Sequence, residues 1–136
     1  MAERKIRVLL SKSDQDAHEL NVRYVARVLK DSGVEVIFTR YQIIDDVVKT
    51  ASEEDVDAIA LSYYSSGVMY EVPKVMQWLK ERNMEDVLVV IGGILNTEEK
   101  SKLLEMGVGA VFTPGVGTVQ DVADCIISKV HGKKIT

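Results

Sequence analysis

Short apolar runs alternate with longer amphipathic stretches along this chain, and that alternation limits the folds open to it. The runs are "IRVLL" (6–10), "VEVIF" (34–38), "AIALS" (58–62), "VLVVI" (87–91) and "GAVFT" (109–113). Most are nearly continuous in apolar character, the mark of parallel strands covered on both faces. The stretches between them have helical spacing. Residues 19–32 align Leu20, Tyr24, Val25, Val28 and Leu29 on one stripe, and residues 68–82 do the same with Met69, Val72, Val75, Met76 and Leu79. Segments 97–106 and 118–130 follow suit. Gly33 stands where the first helix should stop, and Thr97 heads "TEEK" as an N-cap with acids in the first turn. The acid pairs Asp45-Asp46 and Glu53-Glu54 read as solvated helix faces. Five βα units in a row predict an α/β fold: a doubly wound five-stranded parallel sheet of flavodoxin-like or Rossmann-like type, with right-handed crossovers.

Size and charge narrow the partners. A chain of 136 residues suits one domain with one core, taken here as about 4–130. The net charge of −4 argues against a nucleic-acid surface. The basic tail "HGKKIT" (131–136) reads as a frayed end. No apolar run approaches the roughly 18 residues of a membrane span. The N-terminus lacks the apolar stretch of a signal peptide. The single cysteine, Cys125, rules out an internal disulfide and fits a reducing cytoplasm; it falls on the apolar last helix as a partly buried thiol.

In doubly wound sheets the ligand sits at the carboxyl ends of the strands, at the topological switch point. The segments there are "SKSDQDAH", "TRYQ", "SYYSSG", "GGILN" and "TPGVGT". Loop 11–18 has no glycine, which argues against a dinucleotide fingerprint and a P-loop. Asp14 and Asp16 would repel a flavin phosphate. A phospho-accepting receiver domain needs an aspartate after the third strand, where this chain has Leu61-Ser62-Tyr63. What remains is Asp16-Ala17-His18. A histidine ligates a metal through one ring nitrogen, and a carboxylate on the other fixes its tautomer and raises its basicity. Lys12 is placed to neutralise Asp16. With no cysteine or second histidine nearby, a zinc cage built from protein alone is disfavoured. A single histidine arm suits a metal whose other ligands come from a cofactor.

Those residues resemble a known family: the cobalamin-binding domain, or small subunit, of base-off/His-on enzymes of the methylmalonyl-CoA mutase type. That family carries D-x-H-x-x-G after the first strand, S-x-L after the third and G-G after the fourth. This chain has Asp16-Ala17-His18-Glu19-Leu20-Asn21, Ser62-Tyr63-Tyr64 and Gly92-Gly93. The stretches "YVARVLKDSGVEVIF", "EEDVDAIALS", "DVLVVIGGI" and "LLEMGVGAVFTPG" are also similar to family sequence. The resemblance implies that His18 is the lower axial ligand of cobalt, displacing the cofactor's own base, with Asp16 holding His18 and Lys12 behind it. It implies a slot beside the sheet for the nucleotide tail, lined by Ser13, Asp14, Ala17, Asn21, Ser62, Tyr63, Tyr64, Gly92 and Gly93. Thr113, Pro114 and Gly115 would close it. Asn21 stands where the family has glycine, and Tyr64 where it has leucine. Tyr41, Tyr63, Tyr64 and Tyr70 all fall near the ligand edge, to stack on the cofactor or to fill part of the slot.

The implied function is the cobalamin-binding small subunit of an adenosylcobalamin-dependent acyl-CoA mutase, a carbon-skeleton isomerase working by a radical route. It would need a separate large subunit with a barrel carrying the acyl-CoA site, and no residue here would be catalytic toward substrate. Two alternatives stay open. One is a degenerate cobalamin-fold interaction or regulatory module. The other is a corrinoid methyl-transfer carrier, which uses the same D-x-H logic but usually brings a helical bundle.

Overall fold

A computed structural model of the chain describes residues 5–13, 20–63, 67–113 and 118–135. Five strands and five helices alternate strictly: β1 (Arg7–Ser13), α1 (Leu20–Asp31), β2 (Glu35–Tyr41), α2 (Asp45–Glu53), β3 (Ala58–Tyr63), α3 (Val68–Glu81), β4 (Leu88–Gly93), α4 (Thr97–Glu105), β5 (Ala110–Phe112) and α5 (Val119–Ile135). All strand pairs are parallel, in the order β2-β1-β3-β4-β5. The chain reverses direction across the sheet between β1 and β3, so the switch point lies at the carboxyl ends of those two strands.

Strand alternation sorts the core into two layers. Val8, Leu10, Ala58, Ala60, Leu88 and Val90 point to one face and pack against α1 and α5 through Val22, Ala26, Leu29, Ala123, Ile126 and Val130. Leu9, Ile59, Leu61, Val89, Ile91 and Val111 point to the other and meet α2, α3 and α4. The continuous apolar runs follow from this double coverage.

Four strands run further than their apolar runs predict, β3 by the single residue Tyr63. β1 continues through Ser11, Lys12 and Ser13, which the polarity of the stretch assigned to a loop. It is a central strand paired on both sides, so its backbone stays in the ladder. The buried Ser11 hydroxyl is satisfied by the Thr39 carbonyl oxygen at 3.1 Å and the Thr39 hydroxyl at 2.8 Å. β2 likewise takes in Thr39, Arg40 and Tyr41, and β4 takes in Gly92 and Gly93. The cap of α4 is one residue earlier than expected. Asn96, not Thr97, accepts the Glu99 backbone N–H at 2.8 Å, and the Glu99 carboxylate accepts the Asn96 N–H at 3.0 Å. Gly33 does end α1, with φ of +87°.

Candidate functional site at the carboxyl edge of the sheet

The last two side-chain rows of the sheet at its carboxyl edge point in opposite directions. The penultimate row is Lys12, Ser62, Gly92 and Phe112, in register across β1, β3, β4 and β5. Alternation carries it to the α1/α5 face, two positions beyond Leu10, Ala60, Val90 and Ala110. Along β4 the inward residues on this face shrink from Leu88 to Val90 to Gly92, and along β3 they stay small as Ala58, Ala60 and Ser62. The side chains on this face therefore leave less bulk toward the carboxyl edge of β3 and β4. Ser62 and Gly92 are half-buried, whereas the residues below them are buried. Among the described residues, a Cβ built on Gly92 meets the Phe112 carbonyl oxygen, at 3.9 Å, an ordinary contact distance. The Ser62 hydroxyl and the bare backbone of Gly92 stand side by side on this face, a polar group beside a position without a side chain.

Lys12 closes the row on β1. Its side chain is 1% exposed, and its ammonium donates to the Ser13 carbonyl oxygen at 2.8 Å. An ammonium kept so far from water is retained only with polar partners, and this one stands at the root of the loop that carries Asp16 and His18. Thr118 caps α5. Its hydroxyl accepts the Asp121 N–H at 3.2 Å, and the Asp121 carboxylate accepts the Thr118 N–H at 2.7 Å.

The final row is Tyr41, Ser13, Tyr63 and Gly93, and it points to the α2/α3 face. Tyr63, expected beside Ser62 on the slot wall, belongs to this row. Its ring is on the opposite face, 4% exposed, and its hydroxyl donates to Glu71 Oε1 at 2.9 Å. Tyr41 is equally buried and donates to the same oxygen at 2.7 Å. Burial, reinforced by the neighbouring Tyr41 and Glu71, pushes the Tyr63 phenol far above its usual range, so it stays a donor. Two of the four edge tyrosines are thus drawn away from the slot. Tyr70 is 70% exposed in the first turn of α3, with the Lys74 ammonium 4.1 Å from its ring centroid and 3.0 Å from its hydroxyl. The carboxylate that gathers Tyr41 and Tyr63 was missed in the sequence. Glu71 shows there as an ordinary helix-start acid, and only the strand register reveals what it meets.

The two glycines of β4 have different tasks. Gly92 leaves the end of β4 without a side chain on the α1/α5 face. Gly93, expected on the slot wall with it, is required by the backbone: at φ of +148° its Cα lies against β3, where any Cβ would overlap the Tyr63 carbonyl oxygen. Thr113 is half-buried just beyond β5, and the Asn21 backbone lies in the first turn of α1. Asp14, Asp16, Ala17, His18, Tyr64, Pro114 and Gly115 lie outside the described residues. Among the described residues no group of three His, Cys, Asp or Glu side chains could hold a metal, and no helix is long and apolar enough to cross a membrane. A surface concavity lined by Asp55, Asp57, Arg82, Asn83 and Asp86 lies at the amino end of the sheet, remote from this edge.

The parallel order β2-β1-β3-β4-β5, with its switch point between β1 and β3, defines the flavodoxin-like class of α/β domains. Within that class, the family model described as the B12 binding domain matches residues 6–123, and the chain belongs to that family. It is 41% identical to the pivalyl-CoA mutase small subunit of Xanthobacter autotrophicus, over 90% of this chain and 82% of that protein. It is 32% identical to the 2-hydroxyisobutanoyl-CoA mutase small subunit of Aquincola tertiaricarbonis, over 95% of this chain and 98% of that one. A cobalamin-binding protein from Desulfitobacterium hafniense shares the fold with a TM-score of 0.76 at 17% identity, covering 93% of this chain and 60% of that structure.

Proposed function

We propose that this chain is the cobalamin-binding small subunit of an adenosylcobalamin-dependent acyl-CoA mutase. The observation that carries the reading is the row Lys12–Ser62–Gly92, facing the α1/α5 layer at the switch point, in a chain of the B12-binding family. The two mutase small subunits it resembles along nearly its whole length support the enzyme class.

His18 would ligate cobalt through one ring nitrogen, and Asp16 would accept the other ring N–H so that the coordinating nitrogen stays basic. Lys12, buried at the loop root, holds the Asp16 carboxylate in place. The Ser62 hydroxyl bonds the displaced base of the tail, and Gly92 lets the tail lie against the strand. When bound, adenosylcobalamin supplies the radical chemistry of carbon-skeleton rearrangement. The chain itself orients the cofactor and shields its lower face. No side chain of it acts on substrate. The acyl-CoA site, carried by a barrel, belongs to a separate large subunit that covers the upper face.

The test is an absorbance titration of adenosylcobalamin and hydroxocobalamin with the purified chain, beside His18→Ala. A base-off/His-on spectrum that is lost in the variant is expected. Absence of His18-dependent binding, even with the candidate large subunit added, would sink the reading and favour an interaction module that has lost its cofactor.

A further inference from the structure

Beyond the slot, the other side of the same edge carries a built acceptor. Tyr41 on β2 and Tyr63 on β3 stand on either side of β1, roughly 10 Å apart at two strand spacings. Their phenols nevertheless converge on one oxygen, Glu71 Oε1, at 2.7 and 2.9 Å. The small Ser13 between them leaves room for this. The ionised carboxylate can only accept, so both phenols donate to it and fix it in place. Both phenols use Oε1; among the described residues Oε2 takes no hydrogen bond, and the side chain is half-buried. Glu71 lies in the first turn of α3, at the same end of the sheet as Lys12, Ser62 and Gly92, but across the sheet from them.

We propose that Glu71, held by Tyr41 and Tyr63, is a cofactor-positioning residue whose free carboxylate oxygen accepts an amide N–H from the rim of the corrin ring. The inference rests on the cobalamin reading above. Three features select this ligand. A preset acceptor calls for a donor, and the corrin rim carries primary amides all round. The nucleotide tail is excluded, because it occupies the α1/α5 face and its phosphate would be repelled by a carboxylate. Only a broad ring lying over the edge reaches both faces at once. The tail row and Glu71 then hold the cofactor at two points on opposite sides of the sheet.

The probes are cobalamin and the set of cobalamin monocarboxylates, in each of which one rim amide is hydrolysed to a carboxylate. Each is titrated against the full chain and against Glu71→Gln, which keeps an oxygen for the two phenols. The wild-type chain should bind one isomer roughly tenfold more weakly than the others, since a charged acceptor then faces Glu71. Glu71→Gln should erase that difference while still unfolding in one cooperative transition. A merely structural brace would not produce discrimination at one rim position. Equal affinities for all isomers in the wild type, or discrimination that persists in Glu71→Gln, would overturn the proposal while leaving the cobalamin reading intact. A wild-type chain that binds none of the probes would overturn both.

Discussion

Alanine at position 93 and alanine at position 92 should fail in opposite ways, although the two glycines are neighbours. At Gly93 the backbone has φ of +148°, and a Cβ would overlap the Tyr63 carbonyl oxygen and lie 2.6 Å from the carbonyl carbon. Those atoms belong to β3 and cannot swing aside. The same oxygen accepts the Ile94 N–H at 3.1 Å. Backbone strain of about 1–3 kcal/mol and overpacking of about 1–3 kcal/mol together suggest a loss of roughly 3–5 kcal/mol. Against the ~5–15 kcal/mol that a domain of this size typically has, that is a third or more of its stability. The midpoint of thermal unfolding should fall by about 10–15 °C. At Gly92 the added methyl meets, among the described residues, only the Phe112 carbonyl oxygen at 3.9 Å. Gly92→Ala should therefore stay within about 0.5 kcal/mol of wild type yet bind cobalamin some ten- to hundredfold more weakly (about 1–3 kcal/mol of crowding in the slot). Denaturant unfolding followed by circular dichroism measures the first effect, and an absorbance titration measures the second. A Gly93→Ala protein within 1 kcal/mol of wild type would refute the close-approach argument. Undiminished cobalamin binding by Gly92→Ala would refute the slot.

The tyrosine brace makes two further predictions. Tyr63→Phe removes a hydrogen bond to a carboxylate and should cost about 1.5–3 kcal/mol in denaturant unfolding. The Tyr63 phenol is raised in the folded state, so its contribution is fully present below the unfolded tyrosine value of about 10 and is lost as pH rises above it. Stability measured across that alkaline range should fall more steeply for wild type than for Tyr63→Phe; parallel slopes would count against the buried donor. Asn96→Ala removes the cap of α4 and should cost about 1 kcal/mol, whereas Thr97→Ala should cost less than half as much. The reverse order would restore Thr97 as the cap.

The sequence is most legible where burial is the only demand on a residue, and least where neighbouring strands decide. Runs such as Ala58–Ser62 announce themselves because both faces of the sheet are covered, and Gly33 does so because the chain must turn there. Ser11 and Lys12 mislead because polarity reads as loop. Their place in β1 depends on hydrogen bonds to β2 and β3, partners far along the chain. Tyr63 misleads for a related reason. A resemblance aligns it with a ligand motif, but strand alternation sends it to the face opposite Ser62, where Glu71 takes its hydroxyl. The same alternation gives the edge its design. Odd and even positions of one strand end serve two faces, so a polar row for a ligand's arm and a braced carboxylate for its ring can be adjacent in sequence without competing for space. A site of this kind requires small residues on one face and bulky ones on the other at the last turn of the pleat. Ser62-Tyr63 meets that requirement on β3 and Lys12-Ser13 inverts it on β1, which leaves Ser13 small enough for the two phenols to meet across it.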